Sequence, residues 1–582
     1  MNCELLGQPC RNFQILGIGS FADPRDGREK VVLANFAAGA VGNIVIVDPL
    51  TGEGEDLKLP GDNGAWAVLN YRDEKLLIGT CGQYGYLHCL DLRTRQWAQP
   101  LRDENEQYIW NLCLGEDGMV YGGTYPGCVL LRYDPVRHAL ENMGRVSEVA
   151  GNLYSRLVYA GVPGHILITC GYAEGHLSLW NMQTQQARRF GKAGATVREV
   201  GADFLCTQVG EELDFYNLQT LEPLGADLRD RLKTGGPPSR YQGMSFFIQL
   251  QDGKYLCTRG QEYYLDSGGP ERPVLRPIPA HRPATRIHSL CADAQGRIWG
   301  SAGFGQTIFS VDPRNGESWN SQVVCDAGGE VYGMAFAGER LFMACYSGGD
   351  HVVYDPAQPW NQVDQLNPRT LNAAGPALIR PSAKSLIGPD GHFWTGWMAG
   401  YGQYGGGLSR VDVTTLEVEI WTDPLGPQAL SGLAADQQYL YFITGGEANG
   451  LPPQAGPFSF AVWSPESGLV WQREFAPGQV LRCVAAVAGK VLVGVDSRLE
   501  IFDPQALAFV GQVDLEGPCQ LLVPLPAGKV AAFCNQQLWL VDPRYGRGEA
   551  GGVLPGPVHA AALTPQGRFY CAVSTGLYRL DA

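Results

Sequence analysis

The chain repeats a short pattern of strands and turns along nearly its whole length. Apolar runs that close on an aspartate, usually followed by proline, recur as "NIVIVDP", "LLRYDP", "IFSVDP", "HVVYDP", "LEIFDP" and "LWLVDP". Many follow a hairpin with a turn glycine and an aromatic second strand, as in "GEDGMVYGG", "ADAQGRIWGS" and "TPQGRFYCA". The alternation after each turn has the period of two that indicates β-strands. Each unit therefore predicts four strands, A to D, with a variable B–C loop between the second and the third.

The number of units predicts the domain organisation. Roughly thirteen units of about 45 residues fit the period of four-stranded propeller blades. Propellers have about 4–8 blades, so we expect an all-β chain with two tandem β-propellers. The least regular stretch, from "DRLKTGG" to "PAHRPATRIHS", places the boundary near Pro279. The first propeller then spans residues 8–279 with about six blades, and the second spans residues 280–582 with about seven.

The last unit offers only three strands, ending in "GLYRLDA". We expect residues 1–7, which include "NCELLG", to supply the fourth strand and close the second ring, because closure removes an exposed sheet edge.

This pattern resembles the bacterial propeller proteins with NHL-like, virginiamycin-lyase-like and quinoprotein-like repeats. The resemblance covers nearly the whole chain and implies propeller architecture rather than a particular chemistry. A more distant, general resemblance links the chain to the propeller-type polysaccharide lyases, whose catalytic residues have no residue-by-residue match here. The Gly-His and Trp-Asp signatures of WD40 repeats are not systematic in this sequence.

Charge and cysteine content narrow the classes of partner. The formal net charge of −15 disfavours general binding of nucleic acid or anionic membranes, which needs clustered Lys and Arg. The 16 cysteines include no CxxC pair and many lie in apolar runs, as expected of buried free thiols. The first residues lack the features of a signal peptide, and no apolar run is long enough to span a membrane. We therefore expect a cytoplasmic chain.

The B–C loops and the starts of the A strands should share one face of a propeller, around its axis. Aromatic residues recur there among glycines and amides, which suits sugar rings. We take as candidate substrate-binding residues Trp66, Trp110, Tyr125, Tyr346, Lys384 and Trp397.

Four of the nine histidines occupy repeat-equivalent positions. His88, His176 and His351 begin C strands, and His288 is at the top of an A strand. Two candidate catalytic sets follow, one for each ring. The first ring offers His88, Tyr154, Arg156 and His176, and the second offers Arg286, His288, Tyr332 and His351. The second set is slightly favoured because its A-strand starts are more basic.

Three chemistries could use these residues. In β-elimination at a uronic acid, a cation neutralises the carboxylate and a His or Tyr takes the C5 proton. Glycoside hydrolysis needs a carboxyl pair, and no spacing fixes one among Glu174, Glu330, Asp350 and Glu447. Metal binding has no local ligand motif, so a divalent metal stays open and no metal ligand is assigned.

No nucleotide cofactor is expected. The stretch "GYGQYG" from Gly400 to Gly405 matches G-x-G-x-x-G, but a strand follows it where the dinucleotide fingerprint requires a helix.

The sequence thus predicts a carbohydrate-active propeller protein that binds or acts on an oligosaccharide, as a lyase or hydrolase. The alternative is a non-catalytic double-propeller scaffold for protein or glycan binding, because the fold alone does not decide function.

Overall fold

The computed structural model describes residues 2–233 and 235–581, with only the backbone of Asn2, and confirms an all-β chain. Strands hold 51% of the residues and helix 1%. The helical part described consists of two short 3-10 turns, Arg229–Arg231 and Pro526–Gly528. Met1, which belongs to the predicted closing strand, lies outside the described residues, as does Ala582.

The described strands form thirteen antiparallel sheets, the number of units predicted from the repeat. They divide between two compact units. One is Phe13–Pro283; the other joins the segment that ends at Asn12 to the stretch that begins at Ala284. We call them the N-terminal and the C-terminal unit, and number the sheets in chain order.

The N-terminal unit contains sheets 1 to 6. Their strands are Ile15–Ala22, Glu29–Asn35, Asn43–Val47 and Gly54–Lys58 (sheet 1); Ala65–Tyr71, Lys75–Thr80, Tyr86–Asp91 and Leu101–Arg102 (sheet 2); Tyr108–Leu114, Val120–Tyr125, Val129–Asp134 and Ala139–Arg145 (sheet 3); Tyr154–Val162, His165–Gly171, His176–Asn181 and Gln186–Phe190 (sheet 4); Thr196–Val200, Phe204–Val209 and Glu212–Asn217 (sheet 5); and Phe246–Gln249, Tyr255–Arg259, Glu262–Asp266 and Arg276–Pro277 (sheet 6).

The C-terminal unit contains sheets 7 to 13. Their strands are Ile287–Ala292, Ile298–Ala302, Ile308–Val311 and Ser318–Asn320 (sheet 7); Val331–Ala337, Arg340–Cys345, Asp350–Tyr354 and Arg369–Thr370 (sheet 8); Leu378–Pro381, Leu386–Ile387, Phe393–Ala399, Gly406–Val411 and Val418–Thr422 (sheet 9); Ala429–Ala435, Leu440–Gly445, Ser459–Ser464 and Gly468–Glu474 (sheet 10); Leu481–Val487, Lys490–Val495, Arg498–Asp503 and Ala508–Asp514 (sheet 11); Leu521–Pro524, Val530–Cys534, Gln537–Asp542 and Arg547–Val553 (sheet 12); and Ala560–Leu563, Phe569–Val573, Gly576–Asp581 and Asn2–Gly7 (sheet 13).

The N-terminal strand is the outer strand of sheet 13. Asn2–Gly7 pairs antiparallel with Gly576–Asp581, and Cys3 lies opposite Leu580. Beyond the ladder, the Arg579 guanidinium pairs with Glu4 at 2.6 Å. The pairing expected between the first residues and the last unit is therefore present.

The apolar core of each unit lies between neighbouring sheets. The second and third strands are buried on both faces, as in Asn43–Val47, whereas the fourth, such as Gly54–Lys58, is largely exposed. Because both faces of the middle strands are covered, they read as apolar runs without alternation. The first strand of each sheet packs against the first strand of a neighbouring sheet in most of each unit, as sheet 7 does with sheets 8 and 13. This stacking fits a propeller-like fold.

Candidate functional site

One feature recurs in the first strands of ten sheets: a bulge that leaves a single residue out of the ladder. In sheet 7, for example, Ile287 pairs with Ala302 and Ser289 with Ser301, so His288 is the extra residue. A bulge of this kind re-aims a side chain. The bulged residues are Leu16, Trp66, Trp110, Arg156 and Arg198 in the N-terminal unit, and His288, Tyr332, Ile379, Ser431 and Arg482 in the C-terminal unit.

The bulges of the C-terminal unit surround a cavity of about 250 Å³. All seven sheets of the unit contribute to its wall through residues in or next to their first strands. Four bulged residues line it: His288, Tyr332, Ser431 and Arg482. We call this the axial cavity.

The wall of the axial cavity carries positive charge. Lys384 and Arg482 line it together with the neutral or titratable groups His288 and His559, and its described lining includes no Asp or Glu. Neither Lys384 nor Arg482 forms an ion pair with a carboxylate in the described part of the chain. An anion in the cavity would therefore meet uncompensated cations, in a chain whose net charge is negative.

Three side chains beside the cavity form a connected row. The His288 ring lies 4.3 Å from the Tyr332 ring, centroid to centroid. The Tyr332 hydroxyl in turn accepts a hydrogen bond from Arg380 Nη1 at 3.2 Å. Arg380 also stacks over the Tyr346 ring, 4.1 Å from its centroid. Of these, sequence analysis missed Arg380, because it lies outside the bulged position and no repeat marks it.

Burial sets the protonation of the groups along the cavity. It lowers the pKa of His288 to about 4, with the charges of Arg286, His559 and Arg380 adding to the effect. Burial also lowers the pKa of Lys384. At neutral pH, His288 is therefore a neutral imidazole, and Lys384 gives up its proton to become a neutral amine more readily than an exposed lysine does.

One buried carboxyl lies close behind this row. Glu330 is 6% exposed, and its Oε2 has no hydrogen-bond partner among the described residues. Burial raises its pKa to about 7, against the opposing effect of the Arg380 charge. The same burial, together with the charge of Glu330, raises the pKa of Tyr332 to about 12. Glu330 is thus partly protonated near neutral pH.

The other predicted residues of the second ring lie elsewhere. His351 is fully buried: its Nδ1 bonds the Asn372 carbonyl at 3.0 Å and its Nε2 bonds Ser409 Oγ at 2.8 Å. Trp397, also fully buried, donates to the same Ser409 hydroxyl at 2.7 Å. These two side chains link sheets 8 and 9 and do not line the axial cavity. Arg286 is exposed next to His288 and adds positive charge there.

In the N-terminal unit, the structure brings together the predicted aromatic residues but not the histidines. The Trp110 ring contacts Trp66 at 4.8 Å and Tyr154 at 5.8 Å, and Tyr125 stacks on Tyr154 at 5.2 Å. Arg156 lies over the face of Trp110, 5.4 Å from its centroid.

His88 and His176 are buried inside their own sheets. His88 Nε2 is 3.6 Å from Asp62 Oδ2, and His176 Nδ1 is 3.3 Å from the Glu174 carbonyl oxygen. Neither histidine contacts the Trp66–Trp110 pair, so the first predicted set divides into an aromatic cluster with Arg156 and two separate buried histidines.

Among the described residues, no group of three or more His, Cys, Asp or Glu side chains is arranged to hold a metal ion. In the same part of the chain, no helix is long and apolar enough to cross a membrane.

Comparisons with known proteins add little to the site. No protein-family model matches the sequence, and no curated protein matches it. Among solved structures, a chain of hydrazine synthase from Kuenenia stuttgartiensis is similar at a TM-score of 0.41 with 14% identity. The similar region covers 51% of this chain and 95% of that chain. A likeness this low carries no argument about activity.

Proposed function

We propose that the two units are β-propellers of six and seven blades, and that the C-terminal propeller binds an acidic saccharide in its axial cavity. The architecture is supported by the packing of first strands: sheet 7 contacts sheet 8 on one side and sheet 13 on the other, and sheet 1 likewise contacts sheets 2 and 6. Such contacts are expected of blades that stack around an axis and line a channel with their first strands.

The observation that carries the ligand assignment is the charge of the cavity wall. Lys384 and Arg482 line a small cavity whose described lining contains no carboxylate. His288 and Tyr332 add neutral polar groups, and Leu433 and Met334 add apolar surface. A uronic acid offers a carboxylate for Arg482, hydroxyls for the polar groups and C–H faces for the apolar surface.

The reaction that we assign to these residues is β-elimination at the uronate. In that reaction a base removes the proton from C5, the C4–O bond breaks as the C4=C5 bond forms, and the leaving oxygen takes a proton. We assign Lys384 as the base, because its pKa is lowered toward the working pH. Arg482 pairs with the carboxylate and stabilises the negative charge that develops on it.

The sequence-based role of His288 changes in this proposal. A pKa of about 4 makes its imidazole too weak a base for C5. Its ring instead packs on Tyr332 and fixes the position of the hydroxyl, which protonates the leaving oxygen.

The experiment is a binding and turnover assay with uronate oligosaccharides, in which the conjugated alkene of the product is followed by its ultraviolet absorbance. Substitution Arg482→Gln should weaken binding about tenfold or more, because a charge-assisted hydrogen bond is lost. Lys384→Ala should lower turnover about 100-fold or more while leaving binding nearly intact. Arg369→Gln, at an exposed position on the outer strand of sheet 8, is the matched control and should change neither.

The outcomes separate the alternatives. If the wild-type chain binds uronates but does not turn them over, the C-terminal unit is a binding scaffold and Lys384 is not a catalytic base. If no uronate binds to the folded wild-type chain, the acidic-saccharide assignment is wrong.

A further inference from the structure

We propose that the N-terminal unit carries a second acidic-saccharide site, built on Trp66, Trp110 and Arg156. These residues occupy the same bulged position in the first strands of sheets 2, 3 and 4 that His288, Tyr332 and Arg482 occupy around the axial cavity. In the C-terminal unit, side chains at this bulged position converge on the axial cavity. The shared register therefore predicts that Trp66, Trp110 and Arg156 converge in the N-terminal unit.

The convergence is visible in the contacts. The Trp66 and Trp110 rings meet at 4.8 Å and are nearly perpendicular, at 89°. Arg156 lies 5.4 Å above the Trp110 ring. The two indoles are thus in direct contact, with a guanidinium over one of them, and each ring keeps part of its surface exposed. The exposed aromatic surface can pack on the C–H face of a pyranose ring.

The strands that carry Trp110 and Arg156 are held tightly together. The Thr124 amide, on the strand paired with Trp110, donates to Ser155 Oγ at 2.6 Å across the two sheets. A Cβ added at Gly123 would lie 1.8 Å from the Ser155 carbonyl oxygen, so only glycine allows this approach. Because Ser155 precedes Arg156 directly, the arginine and the indole keep a fixed spacing, which lowers the entropy cost of binding.

Charge decides the kind of ligand. Arg156 and Arg198, the next bulged residue, are both exposed, and neither pairs with a carboxylate in the part of the chain that the structure describes. Arg156 already covers the face of Trp110, which disfavours a cationic ligand there. The combination of two indoles and two unpaired guanidinium groups selects a ring that carries an anionic group.

This site does not rest on turnover in the C-terminal unit. It follows from the register and ring contacts of sheets 2 to 4, and it contains no candidate base, since His88 and His176 are buried elsewhere. We therefore assign it binding alone.

The test uses the full chain with Arg482→Gln, which weakens binding in the axial cavity, at ligand concentrations too low to fill that weakened site. Oligogalacturonate is titrated by calorimetry while tryptophan fluorescence is recorded. We expect one remaining site, with a fluorescence change. Adding Arg156→Gln, or Trp110→Leu, should weaken that site at least tenfold, whereas Trp110→Phe should retain most of the affinity because a ring remains. Arg93→Gln, an exposed turn residue of sheet 2, is the matched control.

The proposal is overturned if oligogalacturonate does not bind to the N-terminal unit of the Arg482→Gln chain, or if it binds and neither Arg156→Gln nor Trp110→Leu weakens that binding. It is also overturned if neutral oligosaccharides or citrate bind equally well, since the site would then recognise only the ring or only the charge. Because wild type is titrated in parallel, loss of the axial site and loss of this site appear as separate changes in stoichiometry. Thermal melts of every variant verify that the fold survives.

Discussion

Arg380 Nη1 donates a hydrogen bond to the Tyr332 hydroxyl at 3.2 Å, and the same guanidinium stacks on Tyr346 at 4.1 Å. One cation thus joins the cavity wall to the aromatic residues behind it. It also supplies the positive charge that acts on the buried Glu330.

Replacing Arg380 by Met should destabilise the C-terminal unit by about 1–3 kcal/mol, because Tyr332 loses its donor and the buried Glu330 loses its neighbouring cation. The loss should be larger at pH 8 than at pH 5, since Glu330 is mostly protonated at the lower pH. Urea unfolding of wild type and variant measures it, with Arg369→Met as the exposed control. An equal loss at both pH values would show that Arg380 acts through packing alone.

Substitution Glu330→Gln should stabilise the protein increasingly as pH rises from about 4.5 to about 7. The folded pKa, about 7, is raised above the ordinary value of 4.5, so the folded state binds more protons in this window and wild type loses stability as pH rises. Glutamine cannot ionise and escapes that loss. The shift of about 2.5 units corresponds to roughly 3 kcal/mol.

The measurement is the difference in unfolding free energy between Glu330→Gln and wild type across pH 4 to 8. A difference that stays flat across the window would mean that the carboxyl finds a partner when ionised.

His288 and His351 should respond differently to substitution. His351→Ala should cost about 2–4 kcal/mol, because two hydrogen bonds at a fully buried site are lost, yet saccharide binding should be unchanged. His288→Ala should disturb binding or turnover more than stability, because its ring packs on Tyr332 at the cavity. Calorimetry measures saccharide binding by the two variants, and thermal melts measure their stability. If His351→Ala weakens binding and His288→Ala does not, the site lies at His351.

The pH dependence of His288 has the opposite sign to that of Glu330. Its folded pKa, about 4, lies below the ordinary 6.5, so the unfolded state binds more protons between these values and stability falls as the solution is acidified through this window. Because the ring touches cavity water, we expect about 2 kcal/mol rather than the full shift. His288→Gln should be less sensitive to acid over pH 6.5 to 4, and stability curves of the two proteins test this.

Deleting residues 1–7 should destabilise the C-terminal unit by at least about 2 kcal/mol and leave the N-terminal unit nearly unchanged. The deletion removes the ladder with Gly576–Asp581 and the Glu4–Arg579 ion pair, and exposes a sheet edge. Hydrogen exchange followed by mass spectrometry reports the two units separately. If the deletion lowers hydrogen-exchange protection equally in both units, the strand Asn2–Gly7 stabilises more of the chain than sheet 13.

The sequence was sufficient for the fold class because turn glycines and Asp-Pro endings recur in many of the units and mark their hairpins. The N-terminal strand could be expected for a similar reason: the last unit, ending in "GLYRLDA", lacked a partner. Site residues were harder, because a one-residue bulge changes the face to which a side chain points, and strict alternation does not reveal it. Arg482 in "LRCVAAV" therefore reads as an ordinary outward residue, although it lines the axial cavity.

His351 shows the converse difficulty. It occupies a C-strand start, as a loop-face residue would, but its side chain turns into the packing between sheets 8 and 9. Only the position of Ser409, 58 residues later, decides that orientation, and no local pattern encodes it. Arg380 and His559 were missed for a related reason, since their partners Tyr332 and Ile287 lie in adjacent sheets but far away in sequence.

The ladder between Asn2–Gly7 and Gly576–Asp581 has a consequence for synthesis on the ribosome. The strand Asn2–Gly7 can pair with Gly576–Asp581 only after all the residues between them have been made. The N-terminal unit, whose strands are contiguous from Ile15 to Pro277, is complete long before. Order of emergence therefore favours early folding of the N-terminal unit, followed by a late, long-range pairing that completes sheet 13.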